Sequence, residues 1–122
     1  MQIKSFKDLI VWNKAVYLAK EIYKITKDMP QSEMYGLVSQ MRRAAVSIPS
    51  NIAEGKKRKT RKDFVQFLRV ASGSAAELET QIIIAREIFI RINFSQASAV
   101  LEEVQKMLSV IIKKLEDVKT IS

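Results

Sequence analysis

The sequence predicts an all-α protein, an antiparallel up-down four-helix bundle whose second helix is kinked at a proline. Two observations carry that expectation, and a third sharpens it. Four segments place apolar residues at helical period, and none alternates as a strand does. The breaks between them are short and fall at Pro30, at Gly55 with the charged run after it, and at Asn93 and Ser95. Long helices joined by short connections pack as an antiparallel bundle. The third observation is that the apolar stripe of the second helix keeps its phase through Pro49.

The first segment runs from about Phe6 to Asp28. Leu9, Trp12, Val16, Ala19, Ile22, Tyr23 and Thr26 share one broad face. Pro30 ends the helix, because the residue before a proline is pushed out of helical geometry. Ser32 is placed to cap the second helix, with Glu33 in its first turn. Leu37, Met41, Ala44, Ile48, Ile52 and Gly55 then form a stripe at spacings of four and three. A proline inside a helix removes a hydrogen bond and clashes with the carbonyl four residues back, at a cost of about 3 kcal/mol. A kinked, continuous helix is nevertheless favoured over two helices broken at Ser47 and recapped by Ser50, since the stripe is unbroken. Thr60, with Asp63 three positions on, opens the third helix as a capping box with the shorter acid. Its stripe is Phe64, Phe67, Leu68, Ala71, Ala75, Leu78, Ile82, Ala85, Phe89 and Ile92. From about Arg61 to Arg91 such a helix would be roughly 45 Å long. Asn93 and Ser95 make the next turn and cap. The fourth helix sets Ala97, Leu101, Val104, Leu108, Ile111, Leu115 and Val118 along a bundle seam.

Two helices carry more apolar surface than one seam uses. Ile82, Ile83 and Ile84 are consecutive, as are Val110, Ile111 and Ile112, so each trio spreads over about 200° of its helix. Self-association would bury what a monomer leaves in water. A fully enclosed third helix is the alternative.

A chain of 122 residues reads as one domain, residues 1–122. It contains neither cysteine nor histidine. Disulfides, the usual zinc sites, Ser-His and Cys-His nucleophile pairs and imidazole bases therefore cannot be built, and the expectation is a protein that is not an enzyme and holds no cofactor or metal. The ferritin-like metal site needs Glu-x-x-His on two helices and is excluded in the same way. No apolar run approaches the about 20 residues that span a bilayer, and the N-terminus is interrupted by Lys4, Lys7 and Asp8, so a soluble cytoplasmic protein without membrane attachment is expected. Peripheral attachment to anionic lipid is disfavoured, because no helix combines a basic face with a free apolar one.

The net charge is +8, and it is concentrated. Between Arg42 and Arg69 there are nine basic residues against two acidic ones, a net +7, while the rest of the chain holds twelve against eleven. Lys56, Lys57, Arg58, Lys59, Arg61 and Lys62 form the dense part; Arg42, Arg43 and Arg69 are weaker candidates. A solvated turn is the plain reading, and lysines suit the negative pole at the end of the second helix. Arg61 and Lys62 fit it less well, since they open the third helix at its positive pole. A polyanion would relieve that penalty and the self-repulsion of the cluster. Six phosphate contacts to a single strand would give a salt slope of about −4 in log K.

Other polar features read as structural. Arg43, Ser47, Asn51 and Glu54 form a line beside the second stripe, where hydrogen bonds can hold the Pro49 turn; a ligand or RNA groove is the alternative. Gly73 to Ala76 is a run of four small residues, and Gly73 in mid-helix suggests close helix-helix approach. Glu77 is placed to pair with Arg42 or Arg43 across the bundle. Glu77 and Glu79 lie about 200° apart and cannot act as a carboxylate pair. Trp12, Tyr35, Phe64 and Phe67 read as core rather than as base-stacking platforms.

Three stretches together resemble a known family: FKDLIVWNKA from Phe6, SEMYGLVSQMRRAAVSIPSNIAEG from Ser32 to Gly55, and DFVQFLRVASGSAAELET from Asp63 to Thr80. They are similar to the four-helix bundle proteins encoded in intervening sequences of bacterial 23S ribosomal RNA genes, a family that includes the accessory variability determinant of diversity-generating retroelements. Thr60 stands where that family often has serine, and Ala75 where leucine is common. The resemblance implies an all-α bundle with basic surfaces that assembles into a ring, typically a homopentamer, with no catalytic residues. In the retroelement branch it implies binding to nucleic acid and to a reverse transcriptase. The expectation is thus an oligomeric accessory protein that binds RNA or DNA with little sequence specificity. The rival is a homo-oligomeric protein-interaction scaffold whose basic turns dock on an acidic partner.

Overall fold

The computed structural model describes residues 5–121, with their side chains as far as Asp117. Four α-helices follow in order: α1 (Ile10–Thr26), α2 (Leu37–Lys56), α3 (Arg61–Ile88) and α4 (Ser95–Ile121). Short 3-10 turns at Phe6–Asp8 and Gln31–Glu33 precede α1 and α2, and the described residues contain no strand. Each helix packs on two others in a closed cycle, α1 on α2, α2 on α3, α3 on α4 and α4 on α1. Their pairings run in opposing order. Ser47 meets Ser74 at 2.8 Å, while Gly55, further along α2, lies against Phe64 and Phe67, earlier in α3. Likewise Arg69 pairs with Glu116 and Glu79 with Gln105.

The core is aliphatic. Leu18, Ile22, Met41, Ile48, Ile52, Leu68, Leu78 and Leu108 are each fully enclosed. Burial of such a side chain contributes about 1.5–3 kcal/mol, and here that contribution offsets the ordering of four long helices. The predicted stripes of α2, α3 and α4 supply most of this core. Val118 lies outside the described side chains.

Several local expectations are corrected. The chain from Phe6 does not enter α1 directly: Ser5 and Asp8 close a capping box around a 3-10 turn, and α1 starts at Ile10. The buried face of α1 is Val11, Ala15, Leu18, Ile22 and Thr26. Trp12, Val16 and Ala19 are only half-buried, and Tyr23 is exposed. Ile22 and Thr26 are buried as expected, so it is the Trp12-Val16-Ala19 part of the stripe that lies about one residue, or ~100°, off the buried face. Ser32 does not cap α2, because Gln31–Glu33 closes a 3-10 turn of its own; Gly36 precedes the helix, and the Glu33 carboxylate accepts from Leu37 N at 3.4 Å. Helix α3 stops at Ile88, with Phe89 as its C-cap, short of Arg91. Phe89 and Ile92 still pack against the core. Ser95 is the first residue of α4 rather than its cap, and the Asn93 side chain closes the turn before it: Asn93 Oδ1 accepts from Ser95 N at 2.9 Å and from Ser95 Oγ at 2.6 Å.

Helix α2 is continuous through Pro49, as the phase of its stripe demands. Asn51 braces this turn. Its Nδ2 donates to Ser47 O at 2.8 Å and to Ser47 Oγ at 3.0 Å, and Ser47 reaches Ser74 on α3. Within the polar line, Ser47 and Asn51 are therefore internal scaffolding, while Arg43 and Glu54 stay exposed.

Candidate nucleic-acid interface

The basic run folds into one tight turn. Lys56 is the last residue of α2, Lys57 is its C-cap, and Arg61 and Lys62 open α3. Thr60 Oγ1 accepts from Asp63 N at 3.1 Å, which fixes the start of α3. The turn is braced from beneath by a close helix contact. A Cβ built on Gly55 would sit 2.7 Å from Phe67 Cβ and 3.1 Å from Phe64 Cδ1, so only glycine lets the helices meet there. The close approach expected at Gly73 is absent, since a Cβ there would meet nothing within 4 Å.

Two cations are held over the aromatic rings of this contact. Lys56 Nζ lies 5.9 Å from the Phe64 ring centre, and the Arg58 guanidinium 4.8 Å from that of Phe67. Arg58 also pairs with Glu54 at 2.8 Å. Phe64 and Phe67 are half-buried, so their role is to floor the turn. Lys57, Lys59, Arg61 and Lys62 are exposed and make no ion pair or side-chain hydrogen bond among the described residues.

The other three candidates do not join them. Arg42 and Arg43 lie about 20 Å from Lys56 at 1.5 Å per residue. Arg42 stacks 4.6 Å over the Tyr23 ring and donates through Nε to Thr26 Oγ1 at 3.0 Å. Neither arginine pairs with Glu77 among the described residues, contrary to expectation. Arg69 is engaged with Glu116 on α4. Lys113, which the sequence reading left out, lines a shallow groove with Arg69. It comes from the far end of the chain, so no local charge count could have grouped the two. Tyr35 is not a core residue: it is 97% exposed, in the bend before α2.

No group of three or more acidic side chains able to hold a metal ion occurs among the described residues. No described helix is long and apolar enough to cross a membrane.

Comparison with curated proteins gives no match. Among solved structures, the chain is similar to a protein of unknown function of the S23 ribosomal protein family from Bacteroides thetaiotaomicron. That likeness has 26% identity and a TM-score of 0.74, and it covers 85% of this chain and 96% of the other. The 23S rRNA-intervening sequence protein family matches residues 7–112, which takes in α1, α2, α3 and most of α4. The expectation drawn from the three quoted stretches holds: the chain belongs to that family.

Proposed function

We propose that the chain is a non-enzymatic, homo-oligomeric accessory protein that binds nucleic acid by phosphate contacts at the α2–α3 turn. The observation that carries this reading is the set of four unpaired cations, Lys57, Lys59, Arg61 and Lys62, on a turn stiffened by the Gly55 contact. Two of them stand at the positive pole of α3, where a cation costs about 0.3–1 kcal/mol and an anion is favoured. A phosphate backbone removes that cost. The turn matches no base-reading motif, and its cations are placed for phosphate contact, so low sequence specificity is expected. Assembly would repeat the turn and raise the avidity of a modest patch.

The test is RNA and DNA binding across a salt series. Four phosphate contacts to a single strand give a slope of about −3 in log K against log salt for each turn engaged. Replacing Lys57, Lys59, Arg61 and Lys62 with glutamine should flatten that slope. Binding that ignores both salt and the substitutions would sink the proposal and favour the scaffold reading.

A further inference from the structure

The sequence places almost no net charge outside residues 42–69, yet folding gathers a second set of cations around exposed tyrosine. Between α1 and α2 lie two adjoining hollows that share Tyr23 and Val46. One adds Tyr35, Arg42 and Arg43 to its wall, and the other adds Lys20, Lys24 and Lys27 above an apolar floor that includes Val16 and Pro49. No aspartate or glutamate lines either hollow.

From this juxtaposition we infer that the α1–α2 trough is a second nucleic-acid surface, one that takes single strands by stacking bases on Tyr23 and Tyr35 between flanking cations. Sequence-tolerant single-strand sites combine a cationic track with aromatic faces on which bases stack. Both parts are present. Tyr35 is 97% exposed, so its ring is open to a base without repacking of the core, and Tyr23, in the wall of the same hollow, is 44% exposed. The Tyr23 ring is also held in place. Arg42 covers it at 4.6 Å and is itself fixed by Thr26 Oγ1 and by Tyr23 O at 3.0 and 3.4 Å. These bonds use two of the five guanidinium N–H donors, and Arg42 has no carboxylate partner among the described residues. A strand lying in the trough would find stacking faces on Tyr23 and Tyr35 and phosphate partners in Lys20, Lys24, Lys27 and Arg43. Duplex hides its base faces and has no use for the tyrosines. An acidic peptide would satisfy the cations alone, leaving the Tyr35 ring without purpose.

This site shares with the turn the premise that the ligand is nucleic acid, but none of the residues. The probes are labelled oligouridylate, a mixed-sequence duplex of equal length and polyglutamate as competitor, followed by fluorescence anisotropy on the full chain. Tyr35→Ala should weaken oligouridylate binding by about 5-fold or more and leave duplex binding unchanged. Lys24→Gln with Lys27→Gln should reduce the single-strand salt slope by about 1.4. The inference is overturned if Tyr35→Ala binds oligouridylate like the unmodified chain, or if it loses single strand and duplex alike. Displacement of oligouridylate by polyglutamate at equal charge would also overturn it. The fully exposed Tyr35 supports no core packing, so circular dichroism of that variant should match the unmodified chain. Glutamine variants of the α2–α3 turn, run in parallel, report on the turn alone: their silence would count against the turn and not against the trough.

Discussion

At the scale of single residues, the two helical glycines test opposite sides of one rule. Glycine costs roughly 0.5–1 kcal/mol in a helix relative to alanine, so each needs a reason. Gly55 has one in the Phe64 and Phe67 side chains, which leave no room for a methyl group. Gly73 is exposed and has none in the described contacts. Gly55→Ala should therefore destabilise the protein by about 1–3 kcal/mol through overpacking. Gly73→Ala should stabilise it by about 0.5–1 kcal/mol. Urea titration of both variants checks the pair; equal shifts of the same sign would contradict it. The sequence assigned the close approach to Gly73 because small neighbours surround it there. What decides the matter is whether a ring lies opposite, and Phe64 and Phe67 are brought to Gly55 only when the turn closes. Arg42 teaches the same lesson, since its partners Tyr23 and Thr26 belong to another helix and a carboxylate was the wrong guess.

At the scale of elements, what was legible was period and what was not was phase. The stripes of α2, α3 and α4 keep spacings of four and three over their whole length, so their buried faces follow from spacing even where α3 and α4 carry extra apolar residues beside the seam. Helix α1 carries two adjacent apolar stripes, Val11-Ala15-Leu18-Ile22 and Trp12-Val16-Ala19-Tyr23. Period cannot choose between them. The structure buries the first and turns Val16, Ala19 and Tyr23 of the second toward the trough beside α2, where Tyr23 stays exposed, while Trp12 packs against Phe6. Caps are similarly ambiguous: Ser32 has the right chemistry, but the 3-10 turn at Gln31–Glu33 consumes its surroundings before α2 begins. Thr60 does cap α3, as the breaker before it implies, but the return bond to the Asp63 carboxylate that would complete a capping box is absent among the described residues. Thr60 is exposed and makes its one cap bond to Asp63 N. Thr60→Ala should cost about 1 kcal/mol and Thr60→Ser almost nothing, measured by denaturation. A full loss on the serine variant would assign the effect to something other than the cap.

For the molecule as a whole, the decisive quantity is apolar surface left in water. The two isoleucine and valine trios divide as a single bundle requires: Ile82 is buried at 2%, whereas Ile83 and Ile84 stay 48% and 42% exposed. Val110 is 51% exposed, and it shares an apolar groove with Leu9, Ile10, Val11, Met107 and Ile111 on the α1–α4 side. Ile88, one turn beyond Ile84 on α3, is 62% exposed. Lone apolar residues at a surface mean little, but a stripe along one helix and a lined groove on another are the pattern of buried interfaces. Surface ion pairs such as Lys14–Glu103 and Lys106–Glu102 contribute about 0–1 kcal/mol each and cannot compensate. Assembly through these faces would leave the basic turn, at the other end of α3 from Ile88, outside the contact. Sedimentation at micromolar concentration should therefore show a species larger than the 13.9 kDa chain. Ile84→Glu with Ile88→Glu should shift it toward monomer, because burying a carboxylate without a partner costs several kcal/mol. The same variant should retain its helical circular dichroism, since both side chains lie outside the core, and should lose avidity for nucleic acid while its salt slope per protomer is unchanged. A monomeric unmodified chain would mean that the isoleucine stripe serves some other contact and that the turn works singly.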